Sequence, residues 1–282
     1  MEEKRPSTTA QGAAIMRALH QTLDDKPKVL LDPIVACLID PGLYESTRAV
    51  LEQLPFAARA RAMFVLRSRY AEDCLAESFN SGVRQYVILG AGLDTFAYRQ
   101  PPWAEGLSIF EVDYPSSQQW KRGCLQAAGI SIPGNVRLVG VDFEKISLRD
   151  GLSGAGLDFA APASFSLLGV SQYLSEDALD ATLKLVLSMP ASSEIVFTFV
   201  LPDDDLPADE VPVAAMSAAS AAAGGEPWLT RFHPARLQAK LTAMGFAKVV
   251  HLSPEEADQR YFSSRRDGLR PFAMEQMMRA IV

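Results

Sequence analysis

A short apolar run that enters a glycine-containing turn is the feature that most constrains the fold of this chain. Residues 86–89 (YVIL) lead directly into Gly90, Ala91 and Gly92. Such a run is typical of a buried parallel strand, and the glycines predict a tight turn at its end. Glycine adopts positive φ readily and lets a ligand approach the backbone. We therefore expect a ligand site here, with a helix after the turn that directs its free N–H groups to the same ligand.

The residues after the turn discriminate between classes of nucleotide ligand. A dinucleotide-binding loop would have its third glycine where Thr95 stands. Asp94 would repel a pyrophosphate at the start of the expected helix. S-adenosylmethionine has no phosphate and carries a sulfonium and an ammonium group, so an acidic neighbour suits it. The sequence favours this cofactor, with an NAD-dependent oxidoreductase and a simple helix-capping role for Asp94 as the alternatives.

A second predicted strand, residues 110–113 (FEVD), ends in carboxylates. Asp113 follows Gly92 by about 20 positions, the spacing at which an acid binds ribose hydroxyls in nucleotide-binding α/β proteins. Further predicted strands and helices alternate along the chain, with strands at residues 135–141, 163–170, 194–200 and 246–252. This alternation indicates an α/β doubly wound sheet that binds ligands at the carboxyl ends of its strands.

The two motifs together resemble a known family. VILGAGLDTFAYR and FEVDYPSSQQWKR are similar to segments of the leucine carboxyl methyltransferase-like group of S-adenosylmethionine-dependent enzymes, which includes many bacterial small-molecule O-methyltransferases. The resemblance runs from about Thr8 to the end and implies a seven-stranded class I methyltransferase sheet with an N-terminal helical lid. Residues 1–80 would form the lid and cofactor-capping helices, and residues 81–282 the cofactor-binding domain, with a lid insertion near 202–230. Ile281 and Val282 are expected in an antiparallel edge strand.

The resemblance also implies which residues contact S-adenosylmethionine. Arg67, with Arg69 as a near alternative, would bind the methionine carboxylate through its planar guanidinium. Asp142 and Phe143 would bind the adenine. The family usually has an acid where this chain has Leu168, so the charged end of the cofactor is expected to be held differently or more weakly. The full expected set is Arg67, Gly90, Ala91, Gly92, Asp94, Asp113, Tyr114, Asp142, Phe143 and Leu168.

On the substrate side the resemblance implies that Tyr173 faces the reaction centre and that a helix similar to the one carrying Arg17 lies over the cofactor pocket. Arg17 is expected to reach a ligand from that helix. The alternatives are a core aromatic for Tyr173 and a solvated helix arginine for Arg17. No catalytic residue is assigned. Near the C-terminus, Arg260, Arg265 and Asp267 are expected to form a structural charge network.

Composition argues against several other classes. A net charge of −7 argues against a nucleic-acid surface. The three cysteines are far apart and the three histidines lack ligand spacing, so neither a disulfide framework nor a zinc site is expected. The chain has no recognisable signal peptide and no apolar run long enough to span a membrane. A cytoplasmic protein that does not bind membranes is therefore predicted.

The expected function is an S-adenosylmethionine-dependent O-methyltransferase acting on a carboxyl or hydroxyl group of a small molecule, with specialised metabolism as its setting. A carboxylate needs only alignment and desolvation, whereas a hydroxyl needs a base. Histidine is scarce and only His233 lies near the expected pocket, which favours a carboxyl group or an acidic hydroxyl. A catalytically silent cofactor-binding protein is a further alternative because of Leu168.

Overall fold

The computed structural model describes residues 8–54, 56–141 and 147–282. Its strands are β1 (Gln85–Leu89), β2 (Ser108–Asp113), β3 (Val136–Gly140), β4 (Ala163–Leu167), β5 (Glu194–Val200), β6 (Lys248–Leu252) and β7 (Glu275–Ile281). They form one seven-stranded sheet in the order β3-β2-β1-β4-β5-β7-β6. Strand β7 is antiparallel to both of its neighbours, and the other neighbouring pairs are parallel.

Within the described residues, α-helices surround this sheet. They are α1 (Thr8–Leu23), α2 (Pro41–Leu51), α3 (Ala57–Asn80), α4 (Pro115–Ala127), α5 (Leu148–Gly154), α6 (Glu176–Leu187), α7 (Val211–Ala223), α8 (Pro234–Met244) and α9 (Pro254–Tyr261). Helices α5, α6 and α8 pack on the sheet face that carries Phe165 and Phe197. Helices α3 and α9 pack on the opposite face, around Val196 and Met277. The predicted α/β doubly wound sheet is confirmed.

The burial of the central strands agrees with their largely apolar composition. Every residue of β1, β4 and β5 is buried, as expected of central parallel strands that are covered by helices on both faces. The carboxyl ends of β1, β2 and β4 therefore meet at one edge of the sheet, where the glycine turn and the predicted acid both lie. None of the helices in the described ranges is long and apolar enough to cross a membrane.

The helix expected after the glycine turn is absent from the described chain. Only two short 3₁₀ turns form before β2, at Phe96–Tyr98 and Pro102–Ala104. Oδ1 of Asp94 accepts a hydrogen bond of 2.8 Å from the backbone N–H of Phe96. Pro101 and Pro102 follow closely, and because proline has no N–H donor, a longer helix cannot continue through them. Asp94 therefore forms a local side-chain turn just before the 3₁₀ turn, whose N-cap is Thr95. The predicted set of helical N–H groups does not form here.

The last strand differs from its predicted position. Ile281 was expected in an edge strand, but β7 lies inside the sheet, between β5 and β6. Met277 and Met278 point to opposite faces of β7 and both are buried, which is the pattern of an interior strand. The predicted charge network near the C-terminus is confirmed only in part, because Arg265 pairs with Asp267 whereas Arg260 reaches Asp73 of α3.

Candidate functional site

The turn after β1 requires its glycines. Gly90 and Gly92 have φ values of +68° and +43°, a region that other residues enter only with strain. The N–H groups of Gly90 and Ala91 both donate to the carbonyl oxygen of Val112, at 2.9 and 3.0 Å. A Cβ atom at position 90 would lie 2.5 Å from Cγ2 of Val170. The turn is therefore fixed between the ends of β2 and β4.

Asp113 lies directly against this turn. Its Oδ2 accepts a hydrogen bond of 2.6 Å from the backbone N–H of Gly92. Its Oδ1 accepts one of 2.7 Å from the N–H of Tyr114. A carboxylate has about four lone-pair positions, so two backbone donors leave Asp113 able to accept from the hydroxyl groups of a ribose. The predicted acid and the predicted turn are thus brought together.

Helix α1 covers the other side of the turn. The Ala10 methyl group would lie 3.1 Å from a Cβ atom at position 92. The Nη2 atom of Arg17 donates a hydrogen bond of 2.5 Å to the carbonyl oxygen of Leu93, and its Nη1 lies 3.9 Å from Oδ2 of Asp94. Arg17 is only 6% exposed, so the solvated-arginine alternative is wrong. Burial lowers the pKa of Arg17, against the opposing attraction of Asp32 and Asp94.

Thr95, which stands where a dinucleotide loop has its third glycine, belongs to a buried polar network. Its hydroxyl donates to Oδ2 of Asp32 at 2.7 Å and accepts from Nε of Arg99 at 3.0 Å. Arg99 also forms an ion pair with Glu72 of α3. No local sequence pattern predicts this network, because its members are scattered along the chain. A packed network at Thr95 takes the place of the open glycine loop that a pyrophosphate needs.

Of the two predicted arginines, Arg67 is the one at the site. Its Nη1 would lie 2.5 Å from a Cβ atom at Gly169, just beyond the end of β4. The same Nη1 lies 3.4 Å from both carboxylate oxygens of Glu275. Arg69 instead pairs with Asp73, with its side chain partly exposed at 43%. Arg67 therefore lies at the same sheet edge as the glycine turn, and Arg69 does not.

Leu168 gives this edge no charge. It is partly buried and packs against the apolar cluster of α3 and β5 that includes Val65 and Val196. The nearby acid is Glu275, the first residue of β7. No sequence motif predicts Glu275 as a site residue. Asp142 and Phe143, expected at the adenine, lie outside the described residues. The chain just before them reaches this edge, since the N–H of Val141 donates to the carbonyl oxygen of Asp113 at 2.9 Å.

Tyr173 lies where three segments meet. It belongs to a 3₁₀ turn, Ser171–Tyr173, that follows β4, and its hydroxyl lies beside Thr9 of α1 and the indole of Trp228. The Thr9 hydroxyl donates to Oε2 of Glu226 at 2.7 Å. Burial raises the pKa of Tyr173, so its hydroxyl is neutral at pH 7. The alternative, a core aromatic, expects the backbone to satisfy this hydroxyl, whereas the partners here are the side chains of Trp228 and Thr9.

A segment after α7 lies on the end of β4. The N–H of Leu229 donates to the carbonyl oxygen of Gln172 at 2.6 Å. The hydroxyl of Thr230 donates to the backbone carbonyl oxygen of Ser171 at 2.8 Å. Farther along, Nδ1 of His233 contacts Oδ2 of Asp205. Among the described residues, His, Cys, Asp and Glu form no group of three that could hold a metal ion.

Sequence comparison with known proteins matches this chain to methyltransferases. A family model described as leucine carboxyl methyltransferase matches residues 10–187. Over 215 residues, the chain is 36% identical to YktD of Bacillus subtilis strain 168, provisionally named an S-adenosyl-L-methionine-dependent methyltransferase; the match covers 73% of this chain and 68% of YktD. A Mycolicibacterium paratuberculosis protein with the same provisional name is 32% identical, with coverage of 66% and 64%. The matches thus span about two thirds of these relatives.

Solved structures agree on the fold. A protein of Thermobifida fusca YX, provisionally described as a methyltransferase, superposes with a TM-score of 0.59 at 17% identity, and the match covers 99% of this chain and 96% of that one. A DUF574 family protein of Streptomyces avermitilis MA-4680 superposes with a TM-score of 0.56 at 16% identity, with coverage of 98% and 99%. At these identities the likeness concerns the fold alone.

Proposed function

The chain belongs to the leucine carboxyl methyltransferase family, and on that premise we propose that it methylates a carboxyl or hydroxyl oxygen of a small molecule. S-adenosylmethionine is its cofactor, and the enzyme is an S-adenosylmethionine-dependent methyltransferase. One observation carries the placement of the cofactor, namely the hydrogen bond between the Gly92 N–H and the Asp113 carboxylate. It supports a nucleoside site in which the ribose lies on Asp113 and the backbone of the turn.

The polar groups around the turn fit this cofactor. Asp113 keeps acceptor capacity for ribose hydroxyls, and Arg67 offers a guanidinium at the same sheet edge for the methionine carboxylate. The packed network at Thr95 offers no open loop for a pyrophosphate, which disfavours the NAD alternative. When bound, S-adenosylmethionine supplies a methyl group activated by its sulfonium.

The acceptor is proposed to lie beside Tyr173. Helix α1, with Thr9, and the segment with Trp228 border this residue from two sides. We assign both the N-terminal helices and the 202–230 insertion the role of lids that exclude water from the acceptor. Exclusion of water strengthens electrostatic interactions and removes the hydration shell of an anionic nucleophile.

The acceptor oxygen determines whether a base is needed. A carboxylate is ionised at pH 7 and needs only orientation, whereas a hydroxyl must lose a proton. The paired His233 and Asp205 would be the candidate base for a hydroxyl. The other two histidines are engaged elsewhere, His20 with Asp24 and His251 with Gln276. A cytoplasmic location, a role in specialised metabolism and the lack of a nucleic-acid partner stay predictions.

A methyl-transfer assay tests the proposal. The full chain is incubated with methyl-labelled S-adenosylmethionine and a panel of small carboxylic acids, phenols and alcohols. We expect labelled product together with S-adenosylhomocysteine. Treatment with mild alkali then identifies the acceptor, because a methyl ester releases labelled methanol and a methyl ether does not. Cofactor binding without turnover of any acceptor class would favour the catalytically silent alternative and contradict the proposed activity.

A further inference from the structure

We propose that Glu275 receives the ammonium group of the cofactor's methionine end, so that Glu275 and Arg67 bind this end as a pair of opposite charges. The inference rests on the proposed function, since it concerns the same cofactor site. It assigns to β7 the negative charge that Leu168 does not supply at the end of β4.

The chemistry of the ligand calls for such a pair. The methionine end of S-adenosylmethionine carries a carboxylate and an ammonium group on one carbon atom. Its binding site therefore needs a cation and an anion a few ångströms apart. The Arg67 Nη1 atom lies 3.4 Å from both Glu275 carboxylate oxygens. Charge-assisted N–H···O bonds are typically about 2.7–2.9 Å, so the two groups are neighbours that are not tightly bonded to each other.

Both side chains are largely withdrawn from water. The Arg67 side chain is 14% exposed and that of Glu275 is 7% exposed. A carboxylate buried to this extent is costly unless a charged or hydrogen-bonded partner compensates it. Such burial also makes a charge pair more effective toward a ligand, because solvent screens it less.

The pair lies at the correct edge of the sheet. Glu275 stands opposite Val200, the last residue of β5. Arg67 lies against Gly169, which has a φ of +70° and lacks the side chain that would displace the guanidinium. The next residue, Val170, lies against Gly90. A continuous row of contacts therefore connects Glu275 and Arg67 to the glycine turn on the side of β4, while Asp113 contacts the turn from β2.

Other groups near the turn fit the ammonium less well. Asp94 accepts the hydrogen bond from the Phe96 N–H and faces Arg17. Leu168 is apolar and packs against the α3 cluster. Glu226 accepts from Thr9 of α1. Glu275 is the acid that lies next to the arginine expected to bind the cofactor carboxylate.

Three ligands that differ in their ammonium and carboxylate groups test the two charges separately in a binding titration. S-adenosylhomocysteine carries both groups of the amino acid, decarboxylated S-adenosylmethionine carries the ammonium only, and 5′-methylthioadenosine carries neither. We expect Glu275→Gln to weaken binding of the first two by tenfold or more in isothermal titration of the full chain. Binding of 5′-methylthioadenosine should change less than twofold. Glu255→Gln, at an exposed position of α9, is the matched control and should change none of the three.

The ligand pattern distinguishes the outcomes. An unchanged dissociation constant for S-adenosylhomocysteine in Glu275→Gln would overturn the inference. An equal loss for all three ligands would also overturn it, because it would indicate a structural role. If the wild-type chain binds none of the three, the proposed function itself fails. Glu275→Asp retracts the charge by one methylene and provides a second variant if the glutamine protein does not fold. We expect it to weaken binding of the two amino-bearing ligands by a smaller factor and to leave 5′-methylthioadenosine binding unchanged. If the aspartate variant shows no such selective loss, the inference is overturned.

Discussion

The backbone N–H of Gly92 donates a hydrogen bond of 2.6 Å to Oδ2 of Asp113. This contact joins the turn after β1 to the end of β2, two segments that are separated by 21 positions in the chain. It leaves the Asp113 side chain beside a backbone that a ligand can approach. The cofactor site, the proposed methyl transfer and the role of Glu275 all depend on this arrangement.

Replacing Asp113 with Asn should weaken S-adenosylmethionine binding. Asn keeps the size of the side chain but has one acceptor oxygen where the carboxylate has two, and it carries no charge. Hydrogen bonds to charged groups contribute about 1.5–3 kcal/mol, so the dissociation constant should rise roughly tenfold to a hundredfold. Isothermal titration measures this change. Asp177→Asn, at an exposed position of α6, is the control, and equal affinity in both variants would remove Asp113 from the site.

Replacing Gly90 with Ala should destabilise the fold. The new methyl group would lie 2.5 Å from Val170, at a φ of +68°. Backbone strain and overpacking together should lower the free energy of unfolding by roughly 2–5 kcal/mol. Urea denaturation measures the loss.

Gly82 is the matched control for this variant, because its φ is +101° and nothing lies within 4 Å of an added Cβ. Gly82→Ala should therefore cost only the backbone strain, about 1–2 kcal/mol. Adding Val170→Ala to the Gly90 variant should restore part of the stability. Equal losses at positions 90 and 82 would mean that the contact with Val170 has no energetic consequence.

Replacing Arg17 with Gln should loosen helix α1. The guanidinium joins this helix to Leu93 and lies near Asp94 and Asp32. Loss of these charged contacts should speed amide hydrogen exchange in Thr8–Leu23 by roughly tenfold or more. Exchange mass spectrometry locates the effect. The control is Arg48→Gln in α2, where the arginine is exposed and pairs with Glu52; it should leave hydrogen exchange in α1 unchanged. Unchanged exchange in α1 for Arg17→Gln would contradict this account of α1.

Acid should weaken the hydrogen bonds that the Asp267 carboxylate accepts from Arg265 and from the backbone N–H of Asp25. Partial burial disfavours the Asp267 carboxylate, but a hydrogen bond from Arg265 outweighs that effect. Backbone N–H groups of Asp25 and Leu269 add further bonds. Together these contacts lower the pKa of Asp267 to about 2.

Because the folded-state pKa is below the ordinary value of about 3.9, this contribution is present above that value and is lost as the pH falls toward 2. Asp267→Asn should therefore cost about 1 kcal/mol at pH 7, after allowance for solvent screening. The difference from the wild type should shrink between pH 5 and pH 2. Urea denaturation across this range measures it, with Asp204→Asn as an exposed control; a difference that is constant with pH would contradict the assignment.

The sequence predicts the central strands well. Strand β5 has the predicted bounds, because a seven-residue segment with five apolar residues is typical of a strand buried on both faces. Helices α2 and α9 were missed although their signals were present. An Asp-Pro pair such as Asp40 and Pro41 indicates a break in the chain when it is taken alone, yet Asp40 caps α2 by accepting from the Leu43 N–H at 2.8 Å. Proline at the first helical position begins a helix as readily as it interrupts one.

The sequence predicts those site residues that lie close to one another along the chain. The glycines and Asp113 follow from a short strand–turn–strand pattern, and the structure places them in contact. Glu275 could not be found in this way, because it lies 208 positions from Arg67 and the two meet only through the sheet order. The interior position of β7 is a property of the whole fold. A local pattern does not encode which strand will stand beside β5.

A crystal structure of the full chain with S-adenosylhomocysteine tests the central claim most directly. We predict that the ribose hydroxyls lie within about 2.5–3.0 Å of the Asp113 carboxylate oxygens, the distance of an O–H···O hydrogen bond. The adenosine should rest on the backbone of residues 90–92. Adenosine density in any other cleft, with Asp113 bonded only to Gly92 and Tyr114, would contradict the account.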